Sequence, residues 1–450
     1  MPSIIIGSRN PELPLDLIIY QAMEVGGVTV SNFADGLPIL RISADTQDQL
    51  TSFVKIFSPD DIGVLRDYFI PDPSNPRFVS KVKLNSQSQF INRDLGPHEI
   101  HNPTFPNYTA NQLAKIYDFP KPKSHHHYKI AILSFSGGLL TDSAGRFSDV
   151  NSYWTLIGMK PEDFPTVNVV PLLGASASFS NDSANGNTEN ALDVQIVGAC
   201  CPSATTQITL YSAPNSGLGF FIAFVTAIAN PGFKPDVILC AWGSPESNSK
   251  GGFLSLMDTL FAYAQSQGIN ISCPSGDSGY TDGVGDGQAH VDFPASSPHV
   301  TACGGTSLIC PELRYSHHTQ ETGWSGSGGG LSQIFPQPKY QSHLTHYSTA
   351  RAVPDIALIA DPKTPVSIVL NGKVIHVGGT SIGASLLAAY LALLKLDEFI
   401  NPKLYKTAKH HDDAFHDIII GNNGLYQAKK GFDLVTGLGS IDGDDLTKHV

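Results

Sequence analysis

One serine of the chain stands where a nucleophile could be activated. The apolar strand-like run VIHV leads into Gly378–Ser381, and an apolar, Ala-rich stretch from Ile382 to Leu394 follows at once. This order predicts that Ser381 lies at a helix N-terminus, where unpaired N–H groups and the helix dipole favour a developing negative charge. The position is typical of a nucleophile. A serine that only caps the helix is the alternative.

Two carboxylates could supply the base that such a serine needs. Glu189 and Asp193 are four residues apart in TENALDVQIVGA, and on a helix marked by Leu192 and Ile196 they share one face. Two like charges so close do not both ionise readily, so the pKa of one carboxyl rises and the pair holds a proton. Such a pair can accept a serine proton and return it at acid pH. A solvated acidic pair is the alternative.

A third acid, Asp277, lies in the motif GDSG, which also surrounds the nucleophile of trypsin-like proteases. A trypsin-like chain would be built of antiparallel strands and would carry an Ala-Ala-His-Cys-like motif upstream, and neither is present. The Asp-Thr-Gly and His-Gly-Thr-His motifs of a subtilisin-like triad are absent too. Because GDSG follows the strand-like run GINISCP, a parallel sheet would bring Asp277 to the edge that holds Ser381.

The elements that must position these residues alternate from about residue 129 onward. Apolar strand-like runs are separated by predicted helices around 143–158, 189–199, 217–230 and 251–267; the runs are KIAILSF, VNVVPLL, ITLYSA, DVILCAW, GINISCP and HVTACGG. This alternation predicts an α/β fold with a mostly parallel sheet and helices on both faces.

The first hundred residues differ from the rest. They mix β-like pieces (GVTVSNF, LPILRIS, RFVSKVKL) with one helical segment, SPDDIGVLRDYF, and a Pro-punctuated linker follows. We predict a smaller N-terminal α+β domain with its linker over residues 1–104 and a second domain over 105–450.

The composition describes a globular chain with few charges. Only 15% of the 450 residues are charged, and protonation of all 16 His would change the formal net charge from −12 to about +4. An acidic environment is therefore tolerable. With no basic run, neither nucleic acid nor an anionic membrane is an expected partner, and the longest apolar stretches are too short to span a bilayer.

The six cysteines suggest few disulfides. Cys240, Cys273 and Cys303 fall in apolar strand-like runs, where a buried reduced thiol is the ordinary interpretation. Only Cys303 and Cys310 suggest a disulfide, which would close a short loop.

The motifs together resemble the sedolisin family, the serine-carboxyl peptidases, and are most similar to its kumamolisin-like branch. The resemblance runs from about residue 105 to the C-terminus, in the order YTANQLAKIYDFP, TENALDVQIVGA, CPSGDSGYTDG, VDFPASSPHVTACGGT, WSGSGGGLSQIFPQPKYQ, RAVPDIALIADP, GGTSIGAS and GFDLVTGLGS. It implies a subtilisin-like fold for residues 105–450, with residues 1–104 in the place of a prosegment.

The resemblance also implies roles for four residues. Ser381 corresponds to the nucleophile, Glu189 to the general base, Asp193 to the acid that orients this base, and Asp277 to the acid of the oxyanion hole. Because a carboxyl group donates a hydrogen bond only when protonated, Asp277 would tie activity to low pH. Ser385 departs from the family pattern, in which Pro is usual at that position.

One Ca²⁺ ion is implied as well. The segments FHDII and KKGFD resemble the calcium loop of the family. The ligands would be the carboxylates of Asp417 and Asp433 and the backbone carbonyls of Ile418, Lys429 and Gly431, an all-oxygen set that suits Ca²⁺. Position 429 is usually Gly in relatives. A loop held by Asp turns without a metal is the alternative.

We therefore expect an acid-active serine endopeptidase, made as a zymogen and working as a monomer on peptides or proteins through an acyl-enzyme on Ser381. A tripeptidyl-type exopeptidase and a catalytically silent relative that acts as a binding protein are the alternatives. The resemblance favours an extracellular or acidic compartment. The N-terminal sequence MPSIIIGSRNPELPLDL, however, lacks the basic start and long apolar core of a secretory signal.

Overall fold

The computed structural model describes residues 3–8, 28–32, 39–44, 62–64, 79–81, 83–84, 107–180, 184–230, 232–249, 251–347 and 349–450. The strands are β1 Ser3–Ser8, β2 Val28–Asn32, β3 Ile39–Ala44, β4 Ile62–Val64, β5 Val79–Ser80, β6 Lys83–Leu84, β7 Tyr128–Ser134, β8 Thr166–Pro171, β9 Thr206–Ser212, β10 Val237–Leu239, β11 Trp242–Pro245, β12 Asn270–Pro274, β13 Asp292–Phe293, β14 Thr301–Ile309, β15 Gln320–Gly323, β16 Gly330–Leu331, β17 Ala352–Val353, β18 Ile356–Ile359, β19 Val366–Leu370, β20 Lys373–Gly378, β21 Phe415–His416 and β22 Ser440–Ile441. The α-helices are α1 Ala110–Ile116, α2 Ser148–Leu156, α3 Ala184–Cys200, α4 Gly217–Ala229, α5 Gly251–Ser266, α6 Thr380–Leu394, α7 Asn401–His410 and α8 Gly443–Thr447.

An eight-stranded sheet lies at the centre of the chain after residue 107. Its strands follow the order β15–β14–β12–β10–β7–β9–β8, and β18 also pairs with β14. Neighbouring strands are parallel except for β14 and β15. The predicted mostly parallel α/β sheet is thereby confirmed. Since parallel strands end at a common edge, the loops after β10 and β12 come together there.

Helices cover both faces of this sheet. Successive residues of a strand point to opposite faces, and the strands of this sheet carry apolar side chains on both. In β7, Ile130 and Ile132 belong to a buried cluster with α3 and α6, whereas Ala131 and Leu133 belong to a second cluster with α4 and α5. The four predicted helices are confirmed as α2 to α5, although α2 begins only at Ser148. Among the described residues, no helix combines the length and the apolar character needed to cross a bilayer.

Part of the N-terminal region forms a four-stranded antiparallel sheet in the order β2–β3–β1–β4. The strands predicted in GVTVSNF and LPILRIS are confirmed as β2 and β3. The helix predicted for SPDDIGVLRDYF is wrong at Ile62–Val64, which form β4 and pair with β1. Two β-branched residues and a glycine have weak helix propensity, and a neighbouring strand offers them a ladder instead. The other residues of that segment and the Pro-rich linker lie outside the described residues, and the domain division at residue 104 stays a prediction.

The disulfide suggested for Cys303 and Cys310 is wrong. Cys303 lies inside β14, and Cys310 follows the last residue of the same strand. A strand rises about 3.3 Å per residue, so the two residues are on the order of 20 Å apart. All six cysteines are free and buried.

Candidate active site

Ser381 is the second residue of α6, which begins at Thr380, two residues after the end of strand β20. Its side chain is fully buried. The backbone N–H of Ser381 points out of the first helical turn and donates to the carbonyl oxygen of Lys81 at 3.2 Å. Ser381 Oγ is 3.5 Å from the carbonyl oxygen of Ala241. The predicted location at a helix N-terminus is confirmed.

Gly379 makes this helix start possible. It has φ of +116°, a conformation that residues with a side chain rarely adopt. A Cβ at this position would lie 2.2 Å from the carbonyl oxygen of Lys81 and 2.8 Å from Oδ2 of Asp277. The glycine therefore lets a peptide backbone and a carboxyl group approach the same point in front of Ser381.

Glu189 and Asp193 project from α3, and both are fully buried. Burial raises the pKa of Glu189 well above its ordinary value, and the charge of Asp193 raises it further, whereas the hydroxyl of Ser381 lowers it. No polar atom of the described residues forms a hydrogen bond of good geometry with either carboxylate oxygen of Glu189. Glu189 is thus a buried carboxyl beside Ser381 with lone pairs left to accept a proton.

Asp193 is the inner member of this acidic pair. Burial raises its pKa, while the hydroxyl of Ser385 and the neighbouring carboxyl group of Glu189 lower it. Ser385 Oγ donates to Asp193 Oδ1 at 2.8 Å. Because both acids are buried inside the molecule, the alternative of a solvated acidic pair does not describe them.

Asp277 lies in the loop after β12 and contacts the first residue of α6. Its Oδ1 accepts hydrogen bonds from the backbone N–H of Thr380 at 2.8 Å and from Thr380 Oγ1 at 2.7 Å. Its Oδ2 faces the Cα of Gly379. The structure therefore brings all four predicted residues together around the start of α6. Their roles in catalysis stay predictions.

A short part of the N-terminal region also crosses this site, which the sequence did not reveal. Strand β5 pairs antiparallel with β11, with Ser80 opposite Trp242, and β6 pairs antiparallel with β20, with Lys83 opposite Gly378. Between these strands, the N–H of Lys81 donates to the carbonyl oxygen of Ala241 at 3.1 Å. The residues 79–81 and 83–84 thus lie directly over Ser381.

The side chain of Lys81 enters a pocket that holds two acids. Its Nζ is 2.6 Å from Oδ2 of Asp292 and 3.6 Å from Oδ1 of Asp282, and the three side chains are 9%, 0% and 1% exposed. Burial raises the pKa of both acids, and the ammonium group of Lys81 lowers it. Neither acid was singled out in the sequence because each is an isolated residue in a loop-like stretch.

The predicted calcium ligands surround one loop near the C-terminus. Asp417 accepts hydrogen bonds from the N–H of Gly431 at 3.1 and 3.0 Å, and Asp433 accepts one from the N–H of Lys429 at 3.1 Å. No hydrogen bond found in the described ranges uses the carbonyl oxygen of Ile418, Lys429 or Gly431. Two carboxylates and three available carbonyls therefore lie on this loop, and the donor types fit Ca²⁺.

Two details qualify this fit. The described residues contain no group of three or more His, Cys, Asp or Glu side chains that could hold a metal, so an ion here depends on backbone carbonyls. Asp433 also accepts hydrogen bonds from the N–H groups of Val435 and Thr436 and from Thr436 Oγ1, and these donors compete with an ion.

Lys429 is compatible with the loop because its φ is not positive, and its ammonium lies 5.5 Å from the ring centre of Tyr347.

Comparisons with known proteins give several related sequences. The chain is 36% identical to kumamolisin from Bacillus sp. (strain MN-32) over 357 residues, which are 74% of this chain and 62% of kumamolisin. It is 27% identical to sedolisin from Pseudomonas sp. (strain 101), with 97% of this chain and 76% of that protein covered. It is 29% identical to tripeptidyl-peptidase 1 from Dictyostelium discoideum over 304 residues, with 60% of this chain and 48% of the relative covered. The chain thus spans less than two thirds of kumamolisin and of this tripeptidyl-peptidase. No family model matches it.

The fold is similar to a solved structure as well. The structure of Pseudomonas sedolisin, a serine-carboxyl proteinase complexed with two molecules of pseudo-iodotyrostatin, matches with a TM-score of 0.67 at 27% identity. The match covers 76% of this chain and 98% of that one. The described sheet and its helices are therefore arranged as in that proteinase.

Proposed function

Since this chain belongs to the sedolisin family of serine-carboxyl peptidases, we propose that it hydrolyses peptide bonds at acid pH through an acyl-enzyme on Ser381. The observation that carries this proposal is the burial of Glu189 beside Ser381 with Asp193 behind it. A nucleophilic hydroxyl needs a base within hydrogen-bonding distance. Two acids that share one proton can serve as this base, so no histidine is required.

The first step uses the acidic pair. While the two acids share one proton, Glu189 takes the proton of the Ser381 hydroxyl as Oγ attacks the carbonyl carbon of the substrate. The raised pKa values of both acids support this role, because a pair that shares a proton can hold and return it during turnover. The proton then passes to the leaving amine, and water releases the acyl group from Ser381 with the roles reversed.

The oxyanion would be stabilised by two donors. One is the N–H of Ser381, which already donates to a peptide carbonyl, that of Lys81. The other is the carboxyl of Asp277 in its protonated form, whose Oδ2 faces the same space in front of Gly379. A carboxyl donates only when protonated, so this donor is available at acid pH and is lost as pH rises.

We favour an endopeptidase over a tripeptidyl exopeptidase. The segment that lies over Ser381 pairs with β11 through Val79 and Ser80, and the covalent chain continues for 78 residues before Val79. A site that must bind a free N-terminus three residues before the scissile bond would not admit such a chain. The cleft is therefore suited to extended polypeptides.

The same segment supports a zymogen. Pairing on both sides of Ser381 by β5 and β6 leaves no room for another peptide on β11 and β20. We propose that the N-terminal region inhibits the enzyme until it is cut. The processing site expected near residue 105 lies outside the described residues.

Calcium binding is proposed for the loop between Asp417 and Asp433. The carboxylates of these two residues and the carbonyls of Ile418, Lys429 and Gly431 would hold the ion, which would crosslink the loop and stabilise the fold. No step of the reaction involves it.

Hydrolysis of internally quenched peptides between pH 3 and 8, by the full chain after acid incubation, tests the proposed function. We expect activity confined to acid pH and its loss in Ser381→Ala, whereas Ser152→Ala, on an exposed position of α2, keeps it. Peptides with blocked N-termini should be cut. Release of tripeptides from free N-termini alone would favour the exopeptidase, and a folded, processed protein with no activity at any pH would favour the silent relative.

A further inference from the structure

Gln195 on α3 pairs with a strand through its side chain. Its Nε2 donates to the carbonyl oxygen of Val369 at 2.7 Å, and its Oε1 accepts from the N–H of Val369 at 2.8 Å. Gln195 is fully buried, and Val369 is 4% exposed. One side chain therefore makes both of the hydrogen bonds that a neighbouring strand would make to β19 at this residue.

These hydrogen bonds belong to a series along the outer edge of β19. Val369 lies opposite Val374 of β20, and in an antiparallel pair the N–H groups of alternate residues point away from the partner strand. Three such N–H groups have acceptors outside the hairpin; the pairs are Ser367 with the carbonyl of Tyr108, Val369 with Gln195, and Asn371 with Asp149. Of these three acceptors, only Gln195 belongs to the helix that carries Glu189 and Asp193.

The hairpin of β19 and β20 leads directly to the nucleophile. β20 ends at Gly378, and α6 begins at Thr380 with Ser381 as its second residue. On the other side of the contact, Gln195 lies less than two helical turns after Glu189 on α3. A helix rises about 1.5 Å per residue. A slide of α3 by one residue would therefore move both acids relative to Ser381 by that distance and would break both hydrogen bonds of Gln195.

A tryptophan of α2 holds the same turn of α3. Trp154 Nε1 donates to the backbone carbonyl oxygen of Gln195 at 3.1 Å. A Cβ on Gly198 would lie 2.1 Å from Cζ2 of the Trp154 ring, so the glycine lets this buried ring lie against the helix backbone. The turn that contains Gln195 is thus fixed through its backbone as well as through its side chain.

On the basis of the proposed peptidase function, we propose that Gln195 is a positioning residue of the reaction. Its two hydrogen bonds set the axial position of α3 against the hairpin of β19 and β20. They thereby hold Glu189 at the distance from Ser381 that proton transfer requires. Gln195 touches no reacting atom and acts through the helix and the hairpin. A glutamine that only satisfied the edge of β19 would affect stability alone.

Three substitutions of Gln195 separate the length of the side chain from its hydrogen bonding. Gln195→Asn keeps a donor and an acceptor but is one methylene shorter, so α3 must move toward β19 to keep both hydrogen bonds. Gln195→Glu keeps the length, and its protonated carboxyl at acid pH supplies one donor and one acceptor. Gln195→Met is of similar length and removes both.

Steady-state kinetics at acid pH with one internally quenched peptide test the role. Misplacement of a reacting group by about 1 Å can lower the rate by about 100-fold. We expect kcat to fall by about 10- to 100-fold in Gln195→Asn and Gln195→Met and to stay within about threefold of the wild type in Gln195→Glu. KM should change by less than about twofold, because no contact with the substrate is altered.

A second buried glutamine provides the control. The side chain of Gln341 pairs with the backbone of Ala352 in the same way, at 2.8 and 3.0 Å, and is fully buried. Gln341→Met should lower the free energy of unfolding and leave kcat as it is, since Gln341 lies on neither α3 nor the hairpin.

An unchanged kcat in Gln195→Asn, or equal losses in Gln195→Asn and Gln195→Glu, would overturn the positioning role while the peptidase function stands. These two variants decide the question even if Gln195→Met does not fold. An equal loss of kcat in Gln341→Met would overturn the role as well, because any lost buried carboxamide would then have the same effect. A folded, processed wild type with no activity would overturn the peptidase function itself and this role with it.

Discussion

Ser385 Oγ donates a hydrogen bond to Asp193 Oδ1 at 2.8 Å, from a position one helical turn after Ser381. Ser385 and Asp193 are both fully buried. The same helix thus carries the nucleophile and a hydroxyl that holds the inner acid of the pair. A residue without a side-chain hydroxyl, such as the proline of the family pattern that this sequence resembles, could not donate this hydrogen bond.

Replacement of Ser385 by alanine should shift the pH dependence of hydrolysis upward. The hydroxyl stabilises the charged carboxylate and lowers the pKa of Asp193, so its removal raises this pKa. The pair then keeps its proton to higher pH. A net hydrogen bond of about 1 kcal/mol corresponds to about 0.7 pH unit. The pH profile of kcat/KM measures the shift, and Ser385→Thr, which keeps the hydroxyl, serves as control. An unchanged or downward-shifted profile would contradict this role.

Asp277→Asn should extend activity to higher pH while lowering its maximum. The amide oxygen can still accept from Thr380, and the amide nitrogen donates at every pH. A carboxyl in this position donates only when protonated. Loss of one oxyanion donor typically lowers the rate by about 10²- to 10³-fold, so we expect that loss for Asp277→Ala and a smaller one for Asp277→Asn. Profiles of identical shape for the wild type and Asp277→Asn would argue against a protonated donor.

Calcium should raise the melting temperature of the protein. An ion that binds only the folded state stabilises it in proportion to the logarithm of its concentration. We expect this rise in calorimetry with added Ca²⁺, its loss with a chelator, and its loss in Asp417→Asn. Asp413→Asn changes another exposed acid nearby and should respond as the wild type does. A wild type that is indifferent to both Ca²⁺ and chelator would support a loop held by Asp turns alone.

Arg351→Met should destabilise the fold strongly. Arg351 and Asp355 are fully buried, and the guanidinium donates to both carboxylate oxygens at 2.7 and 2.5 Å. Removal of one partner of such a pair typically costs about 3–5 kcal/mol. The free energy of unfolding from denaturant titration measures the loss. Arg146→Met breaks the exposed pair with Asp142 and should change stability little. A similar small effect of both substitutions would contradict the prediction.

The sequence predicted those parts of the fold and site that depend on local pattern. The apolar runs predicted the strands of the central sheet. Because Asp277 and Ser381 each follow a strand, the sequence predicted that the two residues meet, and they do meet at the start of α6. Only Asp277, however, follows a strand of the central parallel sheet, whereas Ser381 follows β20, which pairs antiparallel with β19 and β6. The i, i+4 spacing of Glu189 and Asp193 also placed them correctly on one helix face.

Other features depend on contacts between distant parts of the chain. Nothing local in RFVSKVKL indicates that Lys81 meets Ser381, since the pairing partners β11 and β20 are far along the chain. The ion pairs of Asp282 and Asp292 can be recognised only when the position of Lys81 in the fold is known. The hydroxyl of Ser385 is recognisable only once α3 and α6 are packed together. The helix predicted around Ile62–Val64 is wrong for a similar reason, since its strand needs β1 as a partner.

The position of Lys81 before Ser381 in the chain has a consequence for biosynthesis. A ribosome makes β5 and β6 long before it makes β20 and α6, whose first residues are Thr380 and Ser381. The nascent chain therefore already contains the segment that occupies the cleft when the nucleophile emerges. If the two associate as the C-terminal part folds, the newly made protein never presents an open active site to its neighbours in the cell.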